Sequence, residues 1–289
     1  MPIKLEAVSY VYGENTPYRK EALKGINLTI NEGDFVGIIG HTGSGKSTLV
    51  QHLNGLLHPS TGRVTINGVD AALKTEEAKL MRHKVGMVFQ YPEHQLFEET
   101  IAQDIAFGPK NLGFSDTEVA QRVREAMDFV GLDYEMYAER SPFQLSGGQM
   151  RRVAIAGVVA LNPDYLILDE PSAGLDPFGR EEIFQKIMEL HEKKGITVVL
   201  VSHNMEDISR MANRLIVIDD GQIQLDGKPL DIFMNQREKL QAAGVDVPPV
   251  SKLIEYLRQR GLPVSQEVIS VDDAVKAIEV AVKEVHHVK

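Results

Sequence analysis

Gly40-His41-Thr42-Gly43-Ser44-Gly45-Lys46-Ser47-Thr48 is the stretch that decides how the rest of the chain reads. It fits G-x-x-x-x-G-K-[ST], a turn whose bare backbone lets successive N–H groups converge on one anion. Glycines permit the positive φ that such a turn needs, and a helix starting at its end adds an N-terminal dipole. The flanks agree, since Asp34-Phe-Val-Gly-Ile-Ile39 predicts a buried strand and Ser47-Thr-Leu-Val-Gln-His-Leu-Asn54 a helix. In that setting Gly40, Thr42, Gly43, Ser44, Gly45, Lys46, Ser47 and Thr48 form the candidate nucleotide cradle. Lys46 is expected at the β- and γ-phosphates and Ser47 on Mg²⁺. His41 and Thr42 occupy free positions of the pattern.

At 289 residues the chain has room for one large α/β domain and a small appendage. Its 41 acidic and 31 basic residues leave a net charge of −10 without a Lys/Arg block, which argues against nucleic acid as a partner. The lack of cysteine excludes disulfides and thiolate metal sites. Met-Pro-Ile-Lys-Leu-Glu at the start has no charged-then-apolar leader, and the longest apolar run, Val153 to Leu161, is short of a membrane span. The expectation is a soluble, intracellular chain.

Residues 3 to 11 alternate as a strand does, and Ile26 to Ile30 does so again after the polar loop Gly13 to Lys20, which predicts an antiparallel hairpin. Gly62 to Gly68 reads as a short strand ended by Asn-Gly, and Val85 to Phe89 as a buried strand of the parallel kind. From Ile101 to Ala160 the period turns helical. Ser115-Asp-Thr-Glu118 makes a capping box, followed by Val119, Val123, Ala126, Met127 and Val130 up to Gly131. Strands return at Tyr165–Leu168, Thr197–Val201 and Arg214–Ile218 around a helix from Arg180 to Lys194, so the core sheet should be mostly parallel. Past Asp231 the phosphate chemistry ends. Pro248-Pro249 punctuates the chain, Ser251 to Arg260 predicts one helix, and Ser270 to Val285 predicts another, with Ser270 and Asp273 as its capping box. The apolar stripe of that last helix, Val271, Val275, Ile278, Val282 and Val285, needs a cover, either the chain's own domain or a second chain.

Two further elements surround the phosphate. Leu166-Ile-Leu168 delivers Asp169 and Glu170 to the end of a buried strand, where Asp169 is the expected metal carboxylate and Glu170 the group that orients or deprotonates the attacking water. Leu145-Ser-Gly-Gly-Gln149 opens a helix, with Ser146 as its cap and Gly147 and Gly148 leaving its N–H groups open to an anion. Together these three elements resemble the signature of ATP-binding cassette (ABC) ATPases. The resemblance implies a P-loop NTPase of α/β class, with a mostly parallel core sheet, an N-terminal antiparallel β subdomain, an inserted helical subdomain and a small C-terminal helical extension. It implies an ATP hydrolase in which Ser146, Gly147, Gly148 and Gln149 meet the ATP of an opposite protomer. By the same resemblance Gln90 senses Mg²⁺ and the attacking water, Asp176 crosses the dimer to the partner's phosphate loop, and His203 is the γ-phosphate switch. Tyr12 matches the aromatic that stacks on adenine, with Tyr10 and Tyr18 close by in sequence.

Gln90-Tyr-Pro-Glu-His-Gln-Leu-Phe-Glu-Glu-Thr100 and Ala106-Phe-Gly-Pro-Lys-Asn-Leu-Gly113 look like segments of the ATPases of energy-coupling factor (ECF) importers, the cobalt-transport-ATPase-like group. Gly-His-Thr-Gly-Ser-Gly-Lys and Pro-Ser-Ala-Gly-Leu-Asp-Pro look more like the second of the two usual ATPase subunits. This resemblance implies a peripheral subunit on the cytoplasmic face of the cell membrane that drives uptake of a vitamin or transition-metal ion. The implied partners are a second ABC ATPase subunit, either a related chain or a self copy, a transmembrane coupling subunit and a substrate-binding membrane subunit. Tyr91, Pro92, Leu96 and Phe97, with Phe107 and Pro109, are then expected to form the docking groove. The expected division is an ABC domain at 1–235, with its helical subdomain at about 91–160, and an extension at 236–289 that stabilises a dimer. A conventional importer ATPase is the alternative. A nucleic-acid-acting ABC ATPase fits less well, because there is one cassette and no sustained heptad run between Lys46 and Leu145.

Overall fold

The structure is a computed structural model that describes residues 2–91, 95–265 and 267–287, with side chains as far as Glu284. The chain opens with β1 (Ile3–Tyr12) and β2 (Lys20–Ile30), paired antiparallel from Ile3↔Ile30 to Tyr12↔Lys20. β3 (Phe35–Ile39) runs into the phosphate loop and α1 (Lys46–Leu53). β4 (Thr61–Ile66) and β5 (Val69–Asp70) are joined through Asn67 and Gly68, both at positive φ, which is the turn that Asn-Gly favours. α2 (Glu76–His83) then leads to β6 (Val85–Val88).

The helical stretch is α3 (Ile101–Asn111), α4 (Asp116–Phe129), the single turn α5 (Tyr134–Tyr137) and α6 (Gly147–Val159). The capping box at Ser115 forms with Glu118. The sheet resumes with β7 (Tyr165–Asp169), α7 (Pro177–Lys194), β8 (Thr197–Val201), α8 (Met205–Met211), β9 (Arg214–Asp219) and β10 (Gln222–Gly227). The tail holds α9 (Pro229–Asn235), α10 (Arg237–Ala242), α11 (Pro249–Gln259) and α12 (Val271–His287).

Among the described residues the strands form two sheets. One is antiparallel in the order β2-β1-β4-β5, and the other runs β10-β9-β3-β8-β7-β6, parallel except for the β9–β10 hairpin. Side chains alternate across the second sheet. Phe35, Leu166, Leu168, Val198 and Leu200 face the helices, whereas Val36, Ile167, Val199 and Val201 face α1 and the antiparallel sheet. With both faces covered, these strands are apolar throughout, and each buried Val, Leu or Ile contributes about 1.5–3 kcal/mol. The chain is thus an α/β P-loop fold.

Three expectations change. α7 begins at Pro177 instead of Arg180, because Asp176 caps it and proline suits the first helical position. β10 was not expected, although Asp220 and Gly221, both at positive φ, supply the hairpin turn that its sequence encodes. In α12 the valines are not the buried face. Ala274 and Ala281 pack with Ile254, Val264 and Val268, while Val271, Val275 and Val282 are exposed, Val275 at 51 %. Small side chains let α12 lie close on α11, and the valines are left facing outward. The Val285 side chain lies outside the described residues.

Packing does not break at residue 235. Leu240, Ala243, Val245 and Val247 belong to the main core, whereas Ile254, Val264, Val268, Ala274 and Ala281 form a separate small one.

Candidate nucleotide site

β3 is flanked by β8 and β9, so the loop at its end emerges at the middle of the parallel sheet. Glycine is required there by the chain's own approach. A Cβ on Gly40 would lie 2.2 Å from the Ile218 carbonyl oxygen, and one on Gly45, at φ 110°, would lie 2.7 Å from that of Ala22. Lys46 is buried and folds back on the loop, its Nζ donating to the carbonyls of Gly40 (2.8 Å) and His41 (2.9 Å). Burial lowers the Lys46 pKa, against the pull of Glu170 and Asp169. Among the described residues the buried Ser44 Oγ has no hydrogen-bond partner, an orphan that suits a loop built to receive an oxyanion. Thr42 and Gly43 are exposed on the loop, and Thr48 is buried behind it on α1.

His41, which the pattern leaves free, is anchored at both ring nitrogens. Nδ1 lies 2.8 Å from the Thr42 carbonyl and Nε2 lies 2.9 Å from Asp219 Oδ1. Its neighbour is Gly244 of the tail, where a Cβ would come within 3.3 Å of the His41 Cβ. Tyr12 reaches the loop, its hydroxyl 3.3 Å from Thr48 Oγ1, and shares a cleft of about 160 Å³ with Lys20, Ala22, Gly43, Gly45, Lys46 and Ser47. Tyr10 packs edge-on against His52 and Tyr12 instead, and Tyr18 is exposed.

β7, two strands from β3, delivers Asp169 and Glu170 to the same end of the sheet. The Ser47 hydroxyl donates to the Asp169 carboxylate, whose pKa burial pushes up while Ser47 and Lys46 pull it down. Glu170 has φ 52°, a costly conformation for a side-chain-bearing residue, and its N–H donates to the Val201 carbonyl (3.0 Å). That bond fixes Glu170 beside the end of β8, where His203 follows. His203 Nε2 lies 3.3 Å from Glu170 Oε1, close enough for attraction but not aligned as a hydrogen bond, so this buried oxygen remains an orphan acceptor. Burial, and then Asp169, push the Glu170 pKa up to about 7. Burial and Lys46 lower that of His203, which favours the neutral ring. The result is a carboxylate poised near neutrality beside an uncharged imidazole.

A hydroxyl and a carboxylate in contact are the residues that would hold Mg²⁺, which takes hard oxygen ligands and few protein carboxylates. Gln90 follows the edge strand β6, whose Val88 pairs with Leu168, so it sits at the same sheet end as Glu170 with an exposed side chain.

Ser146 and Asp176 lie on helix starts. The Ser146 Oγ accepts from the Gln149 N–H (3.3 Å), and Gln149 Oε1 accepts from the Ser146 N–H (3.1 Å), a capping box that holds the N-terminus of α6 open. A Cβ on Gly147 would meet nothing within 4 Å, and one on Gly148 would only touch Leu175 at 3.5 Å. Unlike Gly40 and Gly45, these glycines answer no steric constraint among the described residues. Asp176 Oδ1 accepts from the Gly179 N–H (2.7 Å) at the start of α7.

Of the expected docking residues, Phe97 and Phe107 are 57 % and 45 % exposed and stack edge to face at 4.8 Å, and Tyr91 is also exposed. Leu96 and Pro109 are corrected: both are buried, and Leu96 anchors the loop to the main core. Pro92 lies outside the described residues. Arg151 and His41 carried no expectation. Arg151 follows the signature on α6 but shows its contacts only once the fold brings distant carbonyls to it.

The sequence profile described as ABC transporter matches residues 23–173. Curated relatives named energy-coupling factor transporter ATP-binding protein EcfA2 are similar along almost the whole chain. That of Caldanaerobacter subterraneus subsp. tengcongensis is 55 % identical over 96 % of each chain. That of Clostridium perfringens is 52 % identical over 96 % of this chain and 97 % of its own. Among solved structures, cbiO1 from Clostridium perfringens, described as part of the ABC transporter complex cbiONQ, superposes with a TM-score of 0.71 at 36 % identity, covering 83 % of this chain and 94 % of its own. A dimeric post-hydrolysis ATP-binding cassette, MJ0796 bound to ADP and Pi, gives 0.71 at 34 % identity, covering 78 % of this chain and 98 % of its own.

Proposed function

The chain belongs to the ABC transporter family as an ATP-binding, ATP-hydrolysing subunit of the energy-coupling factor type, and we propose that it works as half of a sandwich that encloses two Mg·ATP. The observation that supports this reading is the convergence of Lys46, the Ser47–Asp169 pair and the Glu170–His203 pair at one end of the parallel sheet. Glu170 accepts a proton from water as the water oxygen bonds to the γ-phosphorus and the bond to the bridging oxygen breaks, releasing ADP and phosphate. His203, kept uncharged, offers an N–H to the γ-phosphate. Ser47 and Asp169 would hold Mg²⁺, and the chemistry such an ion would supply is charge neutralisation on the phosphates. Gln90 lies at the same sheet end to sense that charge, and Tyr12 is the adenine platform.

Gly147 and Gly148 carry the dimer reading. A helix start that is capped, bare and free of any steric demand from its own chain is open to an anion from outside it, here the γ-phosphate held by a second ATPase chain. The exposed Tyr91, Phe97 and Phe107 then form the surface for a transmembrane coupling subunit, beside a separate substrate-binding membrane subunit that admits a vitamin or transition-metal ion. Among the described residues no helix is long and apolar enough to cross a membrane, which fits a peripheral subunit at the cytoplasmic face. The exposed valines of α12 are the proposed dimer contact of the extension. Isolation of the native complex from membranes tests this function. Recovery of the chain with another ATPase chain, or a second copy, and two membrane proteins is expected; recovery as a free chain with full turnover and no membrane subunits contradicts it.

A further inference from the structure

Arg151 is 3 % exposed, an arginine drawn wholly inside the molecule on the second turn of α6. Its Nη1 donates to the Ala173 carbonyl, and its Nη2 points to the Gln90 carbonyl at 3.5 Å. Each of those carbonyls belongs to a segment that matters to hydrolysis. Ala173 closes the turn directly behind the base, its N–H donating to the Glu170 carbonyl at 3.2 Å, and Asp176 caps α7 three residues later. Gln90 follows β6, the strand paired with the one that carries Glu170. A side chain rooted on the helix begun by Ser146 therefore reaches two other pieces of chain, the turn that fixes the backbone of Glu170 and the end of β6.

We propose that Arg151 is a positioning residue for ATP hydrolysis, a rigid fork that locks the turn behind Glu170 and the Gln90 backbone to the signature helix, so that movement of that helix on dimer closure is delivered to both. The proposal rests on Glu170 as the base. Arginine suits the task because its planar fork presents two donors at a fixed angle, whereas lysine of similar length offers a single rotatable point charge. Glu170 itself needs such support, since it is held at φ 52° against its preference. The contacts to Ala173 and Gln90 are to main-chain carbonyls, which suits a part in geometry and not in nucleotide affinity.

The test compares Arg151→Lys and Arg151→Gln with the parent in the full-length chain. Loss of the fork is expected to lower kcat by about tenfold to a hundredfold, the cost of a small misplacement, while KM and Mg·ADP affinity by calorimetry stay within about twofold. Lysine is expected not to rescue glutamine. In a Glu170→Gln background, adding Arg151→Lys should cost less than about twofold more, because both changes remove one function. A folded Arg151→Lys chain with parental kcat, a parallel loss of nucleotide affinity, or fully multiplicative losses in the double variant would overturn the proposal. A parental rate in Glu170→Gln alone would instead overturn the assignment of the base. Should neither Arg151 variant fold, hydrogen exchange in the unmodified chain decides: residues 147–153 and 171–176 are expected to open as one unit with the same denaturant dependence, and independent opening overturns the proposal.

Discussion

Glu170 normally titrates near 4.5, and burial with Asp169 beside it pushes that to about 7. Acting as base, it must be ionised, so kcat/KM is expected to rise with a midpoint near pH 7, and a steady-state profile on the full chain measures it. A flat profile from about pH 5.5 to 8 would contradict the assignment. The same shift has a stability consequence. The folded value lies above the unfolded one, so the group's contribution to stability is full below pH 4.5 and is lost as pH rises through about 7. Glu170→Gln should therefore stabilise the nucleotide-free protein at pH 8 by up to about 2 kcal/mol after solvent screening, and leave it nearly unchanged at pH 4.5, as read by thermal melts. The convergence of Lys46, Asp169 and Glu170 at one end of the sheet was legible because a G-x-x-x-x-G-K-[ST] loop and an apolar strand ending in Asp-Glu both mark that end. The burial of Leu96 was not, since a Leu-Phe pair in a polar loop reads as exposed until the loop is seen to turn the leucine into the core. Accordingly Leu96→Ala should cost about 2–4 kcal/mol, whereas Phe97→Ser with Phe107→Ser should cost little stability and detach the membrane subunits. Chemical melts beside a pull-down from membranes separate the two.

At the scale of elements, the strands were readable because burial on both faces leaves unbroken apolar runs, and helix starts because their caps are local. α12 shows where local pattern fails. Its valines form the more apolar stripe, yet alanines allow the closer approach to α11, and only the tertiary fit decides between them. The tail likewise misleads when divided at the last phosphate motif. Leu240, Val245 and Val247 sit in the main core, and a Cβ on Gly244 would lie 3.3 Å from the Cβ of His41 in the phosphate loop. A chain ending at Val247 should therefore fold and bind Mg·ATP while assembling weakly, whereas one ending at Arg237 should lose several kcal/mol from three buried aliphatic side chains. Calorimetry and size measurement on both decide it, and equal nucleotide affinity and stability in the two would refute a structural role for residues 238–247. α6 makes a separate demand. Gly148→Asp adds charge where a Cβ has room, so the folded monomer should keep its nucleotide affinity and lose turnover. Loss of monomer affinity in that variant would place the signature on its own ATP instead of a partner's.

For the whole molecule, the division of labour follows from which side of the parallel sheet each part covers. The antiparallel sheet and α1 back the loop that grips phosphate, and the helices on the other face carry the signature and the exposed Phe97–Phe107 pair. The central claim is that turnover depends on one carboxylate at the end of β7. Its most direct test is the steady-state ATPase rate of Glu170→Gln at saturating Mg·ATP. The account predicts a fall of more than about a hundredfold with ATP affinity preserved, because the amide keeps the shape and cannot take the proton; a rate within about twofold of the parent would contradict it.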